Sequence, residues 1–406
     1  MSGRPRHDAV VVGAGHNGLV AANVLADAGW SVLVVEAEDE PGGSVRSGEL
    51  VEPGFVNDRC AAFFPLAAAS PVFAALGLEI PFRHGPLVLA HPALDGSCAT
   101  LRRDGGPPEW RLAEPAMLRA LVRRVADPRL LGALPLLKRP ADPLEARIRL
   151  GNALHTDAPP WSLLGRAFGL VLTMLGRTHG FPCVEGGAGR ITDLLVERAL
   201  ARGVELRLGE RVDRVPAARR AVIAAVDVWE LGRLTGRAAR RRPDPATVKV
   251  DWTLDGPVPW TAEPPRRAPV VHLGGPADFV LFGHYSPADP TRAPAGKETA
   301  WAYSHALDAD AIEEQVERHA PGFRALVRGR RVERLPPGRI NGGRTALRLA
   351  GPRVGDGLYL GSLSAYPGGG VHGAPGYRAA QAALRSAARR RARGVWSFTS
   401  SSSTTT

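Results

Sequence analysis

Residues 8–18 read DAVVVGAGHNG, and SVLVVE at 31–36 and PGG at 41–43 follow them. The β-branched apolar runs predict two strands, and the spacing of leucine and alanine between them predicts a helix that Gly29 ends. A strand, a glycine turn, a helix and a second strand that closes on a carboxylate form a unit suited to hold a dinucleotide. The stretch therefore predicts a Rossmann-like α/β domain with a dinucleotide site.

The residues of this unit have separate predicted roles. Gly13 permits the turn after the first strand, Gly15 lets the backbone approach a pyrophosphate, and Gly18 lets the helix pack closely on the sheet. Asn17 lies in the same turn, where the free N–H groups at the start of the helix favour an anion. Glu36 comes 18 positions after Gly18. Its carboxylate can accept both hydroxyls of an adenosine ribose.

A second glycine turn identifies the dinucleotide. Gly42 and Gly43 come just beyond the ribose carboxylate, and Arg46 follows them. A domain that binds only NAD does not need this turn, whereas flavin proteins of the glutathione-reductase type place it over the FAD phosphates. Arg46 can donate to a phosphate or to the next loop. We therefore expect FAD as the cofactor, and the absence of a second GxGxxG predicts no dedicated NAD domain.

The composition excludes several other classes of protein. The 406 residues suffice for two domains, and the net charge of +12 is spread along the chain, so we expect no nucleic-acid binding. No C-x-x-C pair occurs, which excludes dithiol redox chemistry. Histidine and carboxylate residues have no metal-ligand spacing, so we predict no metal.

The termini and the apolar runs bear on location. The short polar segment before the first strand leaves no room for a signal peptide. The apolar run at 161–175 contains Arg166 and is too short to span a bilayer. We therefore expect a cytoplasmic protein with at most peripheral membrane contact.

The later segments predict more elements of both kinds. A helix is expected at 190–202 and strands at 204–208, at Val212 and at 221–226. Short alternating runs between 245 and 325, with one helix at 309–319, predict an antiparallel sheet. A strand at 357–361 then leads into a glycine-rich loop and a basic helix that ends near Arg393.

Four segments carry a resemblance to a known family: GAGHNGLVAA at 13–22, PGFVND at 53–58, EGGAGR at 185–190 and PGGGVHG at 367–373. Together they resemble the phytoene-desaturase-like FAD-dependent oxidoreductases of the pyridine nucleotide-disulfide oxidoreductase domain-containing protein 2 type. That group lies in the glutathione-reductase and amine-oxidase-fold superfamily. The resemblance implies a discontinuous FAD-binding domain with an inserted α+β substrate domain. The expected segments are 1–85, 183–232 and 335–393 for the first, 86–182 and 233–334 for the second, and a disordered tail at 394–406.

The resemblance also implies further contacts to FAD. Gly43, Ser44 and Arg46 would lie along the pyrophosphate, and the backbone of Val212 would meet the adenine edge. Gly361 would approach the ribityl chain. The loop residues Gly370 and Val371 would lie at the flavin ring.

Two segments depart from the family pattern. Between Val212 and Ala221 relatives carry a β-hairpin and its return strand, whereas only 213–220 remains here. The segment 343–357 is also shortened. An exposed sheet edge at the missing hairpin would lower stability and cofactor affinity, which bears on whether the chain is active.

His372 has two interpretations. It lies in the loop predicted at the flavin ring, where it could steer a substrate or assist proton removal. It could instead cap a helix or bond to its own loop. For His155 and His179 we expect surface or satisfied core positions.

Two further segments also leave alternatives open. The run at 161–175 could line a tunnel for a lipophilic substrate or form a buried core helix. The arginine-rich run at 389–393 could touch anionic lipid or end a solvated helix.

The predicted function is an FAD-dependent oxidoreductase that transfers hydride from a lipophilic or small organic substrate to flavin N5. The reduced cofactor would pass its electrons to oxygen, a quinone or another acceptor. One alternative is a flavin-dependent isomerisation without net redox. Another is a degenerate member that binds FAD weakly and acts as a scaffold.

Overall fold

The computed structural model describes residues 6–123, 135–138, 140–239, 241–338, 340, 342–344 and 351–399. The strands are β1 (Ala9–Val12), β2 (Val32–Val35), β3 (Ser47–Gly48), β4 (Asn57–Asp58), β5 (Phe82–Arg83), β6 (Leu89–Pro92), β7 (Cys98–Leu101), β8 (Cys183–Val184), β9 (Glu205–Arg207), β10 (Ala221–Ala224), β11 (Thr247–Leu254), β12 (Val270–Leu273), β13 (Val280–His284), β14 (Glu298–Ser304), β15 (Val327–Leu335), β16 (Arg353–Gly355) and β17 (Leu358–Leu360). The helices are α1 (His16–Asp27), α2 (Pro65–Ala68), α3 (Pro71–Ala75), α4 (Pro108–Arg123), α5 (Pro143–Ala153), α6 (Leu163–Thr178), α7 (Gly189–Ala201), α8 (Val228–Thr235), α9 (Ala309–His319), α10 (Phe323–Leu326) and α11 (Ala374–Thr399).

The first sheet has six strands in the order β16-β17-β10-β1-β2-β9. Five of them run parallel, and the short β16 pairs antiparallel with β17 at one edge. All residues of β1, β2 and β10 are buried, as expected for central strands covered on both faces. Helices α1, α7 and α11 pack together on one face around an apolar core.

The second sheet has seven strands in the order β15-β11-β14-β13-β12-β6-β7. Only the β12–β6 pair is parallel. The core against this sheet contains Trp252, Phe282 and Phe323. The Phe323 ring is edge-on to the Trp252 ring at a centroid distance of 5.2 Å. This is the antiparallel sheet that the short alternating runs predict.

The six-stranded sheet takes its strands from three separate parts of the sequence. They lie at 9–35, 205–224 and 353–360, and the strands of the second sheet are interposed between them. The predicted fold class, a discontinuous Rossmann-like domain with an inserted α+β unit, is therefore confirmed. The domain boundaries given above stay a prediction.

Two sequence predictions differ from the structure. Val212 lies in a connection without strand structure between β9 and β10, because its carbonyl accepts a bond from the Arg233 side chain. Helix α11 continues to Thr399, six residues into the predicted tail, since no proline interrupts the chain there. Residues 400–406 lie outside the described residues, as does part of the shortened segment 343–357.

None of the helices in the described residues is long and apolar enough to cross a bilayer.

Candidate functional site

A cleft of about 890 Å³ opens at the carboxyl ends of β1, β2 and β10. Ligands of open α/β sheets bind at this end of the strands. On its far side the cleft is bounded by the end of β15, the edge strand of the seven-stranded sheet. The residues that line it include Gly13, Gly15, Glu36, Gly43, Ser44, Arg46, Cys60, Arg211, Trp229, Glu333 and Leu363.

The first glycine turn brings the backbone into this cleft. Gly13 has a φ of +101°, and its N–H donates to the Val35 carbonyl oxygen at 2.8 Å. A Cβ atom at Gly18 would lie 2.0 Å from the Gly13 carbonyl oxygen, so only glycine allows α1 to approach the turn this closely. The start of α1 is thereby fixed against the end of β1.

Glu36 closes the second strand as the sequence predicts. One carboxylate oxygen accepts the Ala14 N–H at 2.6 Å, and the other accepts the Glu38 N–H at 3.0 Å. These two bonds orient the carboxylate beside the glycine turn. The group lines the cleft in the position where a ribose could bond to its remaining acceptor sites.

The second glycine turn is joined to the first. The Gly42 N–H donates to the Ala14 carbonyl oxygen at 2.9 Å. Gly43 adopts a φ of +59°, in the left-handed region, and lines the cleft together with Ser44. Arg46 Nε donates to the Gly43 carbonyl oxygen at 2.9 Å, so this side chain supports the turn as well as lining the cleft.

The residues present fit an FAD molecule. Helix α1 begins after Gly15 without a side-chain cap, which leaves its first N–H groups available to a pyrophosphate. A Cβ atom at Gly15 would meet nothing within 4 Å, so the backbone there faces open space in the cleft. The buried Asn17 Oδ1 also has no hydrogen-bond partner among the described residues.

Comparison with known proteins agrees with this geometry. Residues 8–151 match the family model of the FAD dependent oxidoreductases. The chain carries an FAD-dependent oxidoreductase domain. Its cofactor is FAD, as the paired glycine turns predict.

Similar proteins extend this oxidoreductase likeness along the chain. Phytoene dehydrogenase of Streptomyces griseus is 29% identical over 329 residues, which cover 70% of this chain and 63% of that one. Pyridine nucleotide-disulfide oxidoreductase domain-containing protein 2 of Mus musculus is 43% identical over 63 residues, 16% of this chain and 11% of that protein. The predicted resemblance is confirmed, although the chain spans less than two thirds of the length of either relative.

A solved structure shows the same fold. Cyclohexylamine oxidase from Brevibacterium oxydans superposes with a TM-score of 0.60 and 17% identity, and the match covers 95% of this chain and 99% of that one. At 17% identity this likeness shows a shared fold alone.

Val212 and Gly361 do not line the cleft among the described residues, although each is next in sequence to a residue that does. The Val212 carbonyl oxygen accepts a bond from Arg233 Nη2 at 2.5 Å, and its neighbour Arg211 lines the cleft. Gly361 packs against α11, where a Cβ atom would lie 3.1 Å from the Ala379 Cβ. The contacts to FAD predicted for both residues stay predictions.

The loop before α11 is tightly packed. Gly370 has a φ of +106°, and a Cβ atom there would lie 2.5 Å from Leu66 Cδ1. Val371 is half-buried against the core of the six-stranded sheet. Gly370, Val371 and His372 are absent from the described residues that line the cleft, so their predicted contact to the flavin ring stays a prediction.

His372 is 2% exposed. Its contacts fit the second interpretation, in which the ring caps a helix or bonds to its own loop. Its Nδ1 accepts the Ala374 N–H at 3.2 Å, and its carbonyl oxygen accepts Ser70 Oγ at 2.7 Å. Burial lowers the pKa of His372 to about 4. Burial, with a smaller effect of His372, lowers the pKa of His16 to about 3. No contact of His372 tests the catalytic hypothesis, which stays a prediction.

Sequence reasoning missed a buried charged cluster beside the cleft. Lys249 is 2% exposed and donates to an Asp251 carboxylate oxygen and, at 3.1 Å, to the Asp58 carbonyl oxygen. Glu333, which lines the cleft, lies opposite Lys249 in the β11–β15 register. Burial raises the pKa of Cys60, and nearby Lys249 opposes this shift. In the sequence, Lys249 alternates with apolar residues like the other polar residues of its strand. That pattern is also typical of a lysine on an exposed sheet face, so it does not reveal that Lys249 is buried.

Asp58, from the PGFVND segment, holds the two sheets together at this point. Its carboxylate accepts bonds from the Tyr285 hydroxyl at 2.8 Å, from Arg292 Nη2 at 3.2 Å and from the Ala188 N–H at 2.8 Å. Strand β13 leads directly into Tyr285, and Ala188 precedes α7, which packs in the core of the six-stranded sheet. This network fixes the wall of the cleft relative to the seven-stranded sheet.

A largely buried group of aromatic rings adjoins this cluster. Phe63 lies 5.8 Å from Trp301 and 5.9 Å from Tyr285 between ring centroids, and Trp301 stacks on Tyr303 at 6.1 Å. The Lys249 ammonium lies 5.9 Å from the Trp301 ring centroid. Trp301 and Tyr285 belong to a buried core, so the Lys249 ammonium is packed against aromatic rings instead of water.

The apolar run at 161–175 falls largely in α6. Its Leu170 and Met174 pack against Trp110, and Leu172 joins a separate core beneath the seven-stranded sheet. The preceding Trp161 is 73% exposed. These contacts fit the core interpretation of the run.

Proposed function

We propose that this chain is an FAD-dependent oxidoreductase that removes hydride from a lipophilic or small organic substrate. The observation that carries the proposal is a cleft that both sheets line. One wall is the glycine and Glu36 set that fits FAD, and the other is the end of β15, beside the Lys249 cluster. A cofactor held on the first wall would therefore face side chains of the second sheet.

FAD, when bound, supplies a hydride acceptor. The residues of the chain supply binding and orientation. Glu36 would hold the adenosine ribose, and the N–H groups at the start of α1 would hold the pyrophosphate. The Lys249–Asp251 ion pair would fix a dipole close to the cleft, in surroundings that exclude water and so strengthen its field.

The similarity to phytoene dehydrogenase over 70% of this chain supports the choice of a lipophilic substrate. Oxygen, a quinone or another small molecule would accept the electrons, and membrane contact would be peripheral at most.

The first test is the visible spectrum of the purified protein, followed by release and identification of the bound nucleotide. Under anaerobic conditions, phytoene in detergent micelles, cyclohexylamine and D-alanine are then added to separate samples. We expect bleaching of the flavin absorbance by the lipophilic substrate. A colourless protein that takes up no FAD would favour the scaffold alternative. Turnover that needs no electron acceptor would favour isomerisation.

His372 is tested in the same assay. In a His372→Ala variant that retains FAD, an unchanged rate of bleaching would remove the catalytic hypothesis. A large loss of rate at unchanged FAD content would support it.

A further inference from the structure

A second cavity, of about 820 Å³, is lined mainly by arginine. We call it the arginine groove. Its basic residues are Arg219, Arg220, Arg353, Arg385, Arg389 and Arg390. Asp356 is the one acidic residue among the described residues that line it. The groove is therefore a concentrated positive site in a protein whose basic residues are otherwise dispersed.

The arginine groove is separate from the FAD cleft. It lies at the amino ends of β10 and β17, next to Arg220 and Gly357, whereas the cleft lies at the carboxyl ends of the same strands. Strand β10 has four residues, so the two sites are separated by about 13 Å of strand. A ligand could bind the groove while FAD occupies the cleft.

Several guanidinium groups of the groove already have partners. Arg220 Nε lies 3.1 Å from Asp8, and Arg353 pairs with Asp356 at 2.5 Å. Arg390 donates to the Arg220 carbonyl oxygen at 3.1 Å. These bonds hold the floor and one side of the groove in position.

Arg385 and Arg389 differ from the others. They lie one turn apart on the same face of α11, and neither has a hydrogen-bond or ion-pair partner within the described ranges. Like charges at this spacing destabilise a helix unless an anion lies between them. Their side chains are exposed, so both are free to close on a ligand.

Tyr359 adds an independent observation. This residue of β17 lines the groove and is 1% exposed, and its hydroxyl has no hydrogen-bond partner among the described residues. A buried hydroxyl without a partner is costly and is usually satisfied by a ligand or by water. The hydroxyl thus supplies an unpaired donor in the lining of the groove.

We propose that the arginine groove binds a phosphate-bearing anion. Arginine presents planar donors that match phosphate oxygens in pairs, and the Tyr359 hydroxyl would add a further donor. The proposal does not depend on the oxidoreductase function. The phosphate can belong to a soluble phosphorylated molecule or to the headgroup of an anionic phospholipid.

The test uses the full chain saturated with FAD, so that the cleft is filled. Inorganic pyrophosphate is titrated in a calorimeter, and in a second arm the protein is sedimented with vesicles of phosphatidylcholine with or without phosphatidylglycerol. We expect saturable binding in at least one arm. Pyrophosphate binding alone identifies a soluble ligand, and vesicle binding that pyrophosphate does not reproduce identifies a headgroup. Failure to bind in both arms overturns the proposal, whatever the redox activity.

Variants locate the binding in the groove. Arg385→Gln removes a partnerless side chain and should weaken binding about tenfold at unchanged FAD content. Arg391→Gln on the same helix is the matched control, because Arg391 is exposed but does not line the groove. If Arg385→Gln and Arg391→Gln weaken binding equally, the anion is attracted by the general positive charge of the protein. That result would overturn the site. Tyr359→Phe should also weaken binding, and an unchanged affinity would overturn the groove as a built site.

Discussion

The Ala14 N–H donates to the Glu36 carboxylate at 2.6 Å, so the first glycine turn and the end of the second strand are held together by the group predicted to bind ribose. The same turn accepts the Gly42 N–H through the Ala14 carbonyl oxygen. Both glycine turns are therefore positioned through one residue. The carboxylate has a structural role and a predicted binding role.

Glu36→Gln removes the charge and keeps the link to the glycine turn. The amide oxygen can still accept the Ala14 N–H, whereas the bond from the Glu38 N–H and the charge that strengthens bonds to the ribose hydroxyls are lost. We expect FAD affinity to fall about 10- to 100-fold, since hydrogen bonds to a charged group contribute about 1.5–3 kcal/mol. Fluorescence titration of the cofactor-free protein with FAD measures this. The control is Asp39→Asn, an exposed neighbour that does not line the cleft. If Glu36→Gln and Asp39→Asn bind FAD with equal affinity, Glu36 does not contact the ribose.

Gly15 and Gly18 predict opposite consequences for the same substitution. Gly15→Ala adds a Cβ at an ordinary φ of −66° into open cleft space, so folding should be unaffected and FAD affinity reduced. Gly18→Ala places its Cβ 2.0 Å from the Gly13 carbonyl oxygen and forces the helix to move. We expect it to lower the free energy of unfolding by at least about 1–3 kcal/mol. Urea unfolding without FAD, together with FAD titration, distinguishes them. If Gly15→Ala lowers the free energy of unfolding, the space next to Gly15 is not open as the structure indicates.

The local part of the site could be predicted from sequence, and the cross-sheet part could not. Gly13, Gly18 and Glu36 act through short spacings that the chain displays directly. Lys249 and Glu333 become neighbours only through the β11–β15 register, across a sequence separation that no motif spans. The predicted strand at Val212 is wrong, because the side chain of Arg233, from a later helix, donates to the Val212 carbonyl oxygen.

The buried Lys249–Asp251 pair should be costly to break on one side. Lys249→Met leaves the Asp251 carboxylate, which is 0% exposed, without its ammonium partner. We expect a loss of about 3–5 kcal/mol in the free energy of unfolding, and recovery of most of it in Lys249→Met/Asp251→Leu. Urea denaturation provides the comparison.

Lys297→Met serves as the control for that pair. Lys297 Nζ lies 2.6 Å from Asp255 at the surface, and both side chains are substantially exposed. This variant should cost about 0–1 kcal/mol. If Lys249→Met costs no more than Lys297→Met, the pair is not shielded from water as the structure indicates.

Buried histidines should make the protein sensitive to mild acid. Burial lowers the pKa of His91 and His372 to about 4 and that of His16 and His155 to about 3, from a usual value of 6.5. Between pH 6.5 and about 4 the unfolded chain binds protons at these rings and the folded chain does not. Stability therefore falls as the pH falls, by about 1.4 kcal/mol per pH unit for each histidine. Urea unfolding at several pH values, at a fixed FAD concentration, measures the slope.

His155→Phe tests whether these rings produce the slope. His155 Nε2 lies 2.8 Å from His272 Nε2, and the ring also contacts Phe279. The variant should lose stability at neutral pH and should reduce the acid slope by about 1.4 kcal/mol per pH unit. Phe279→Leu is the matched control, because it removes contacts from the same cluster without removing a titrating group. An acid slope in His155→Phe equal to that of the control would mean that His155 is already accessible to protons in the folded chain.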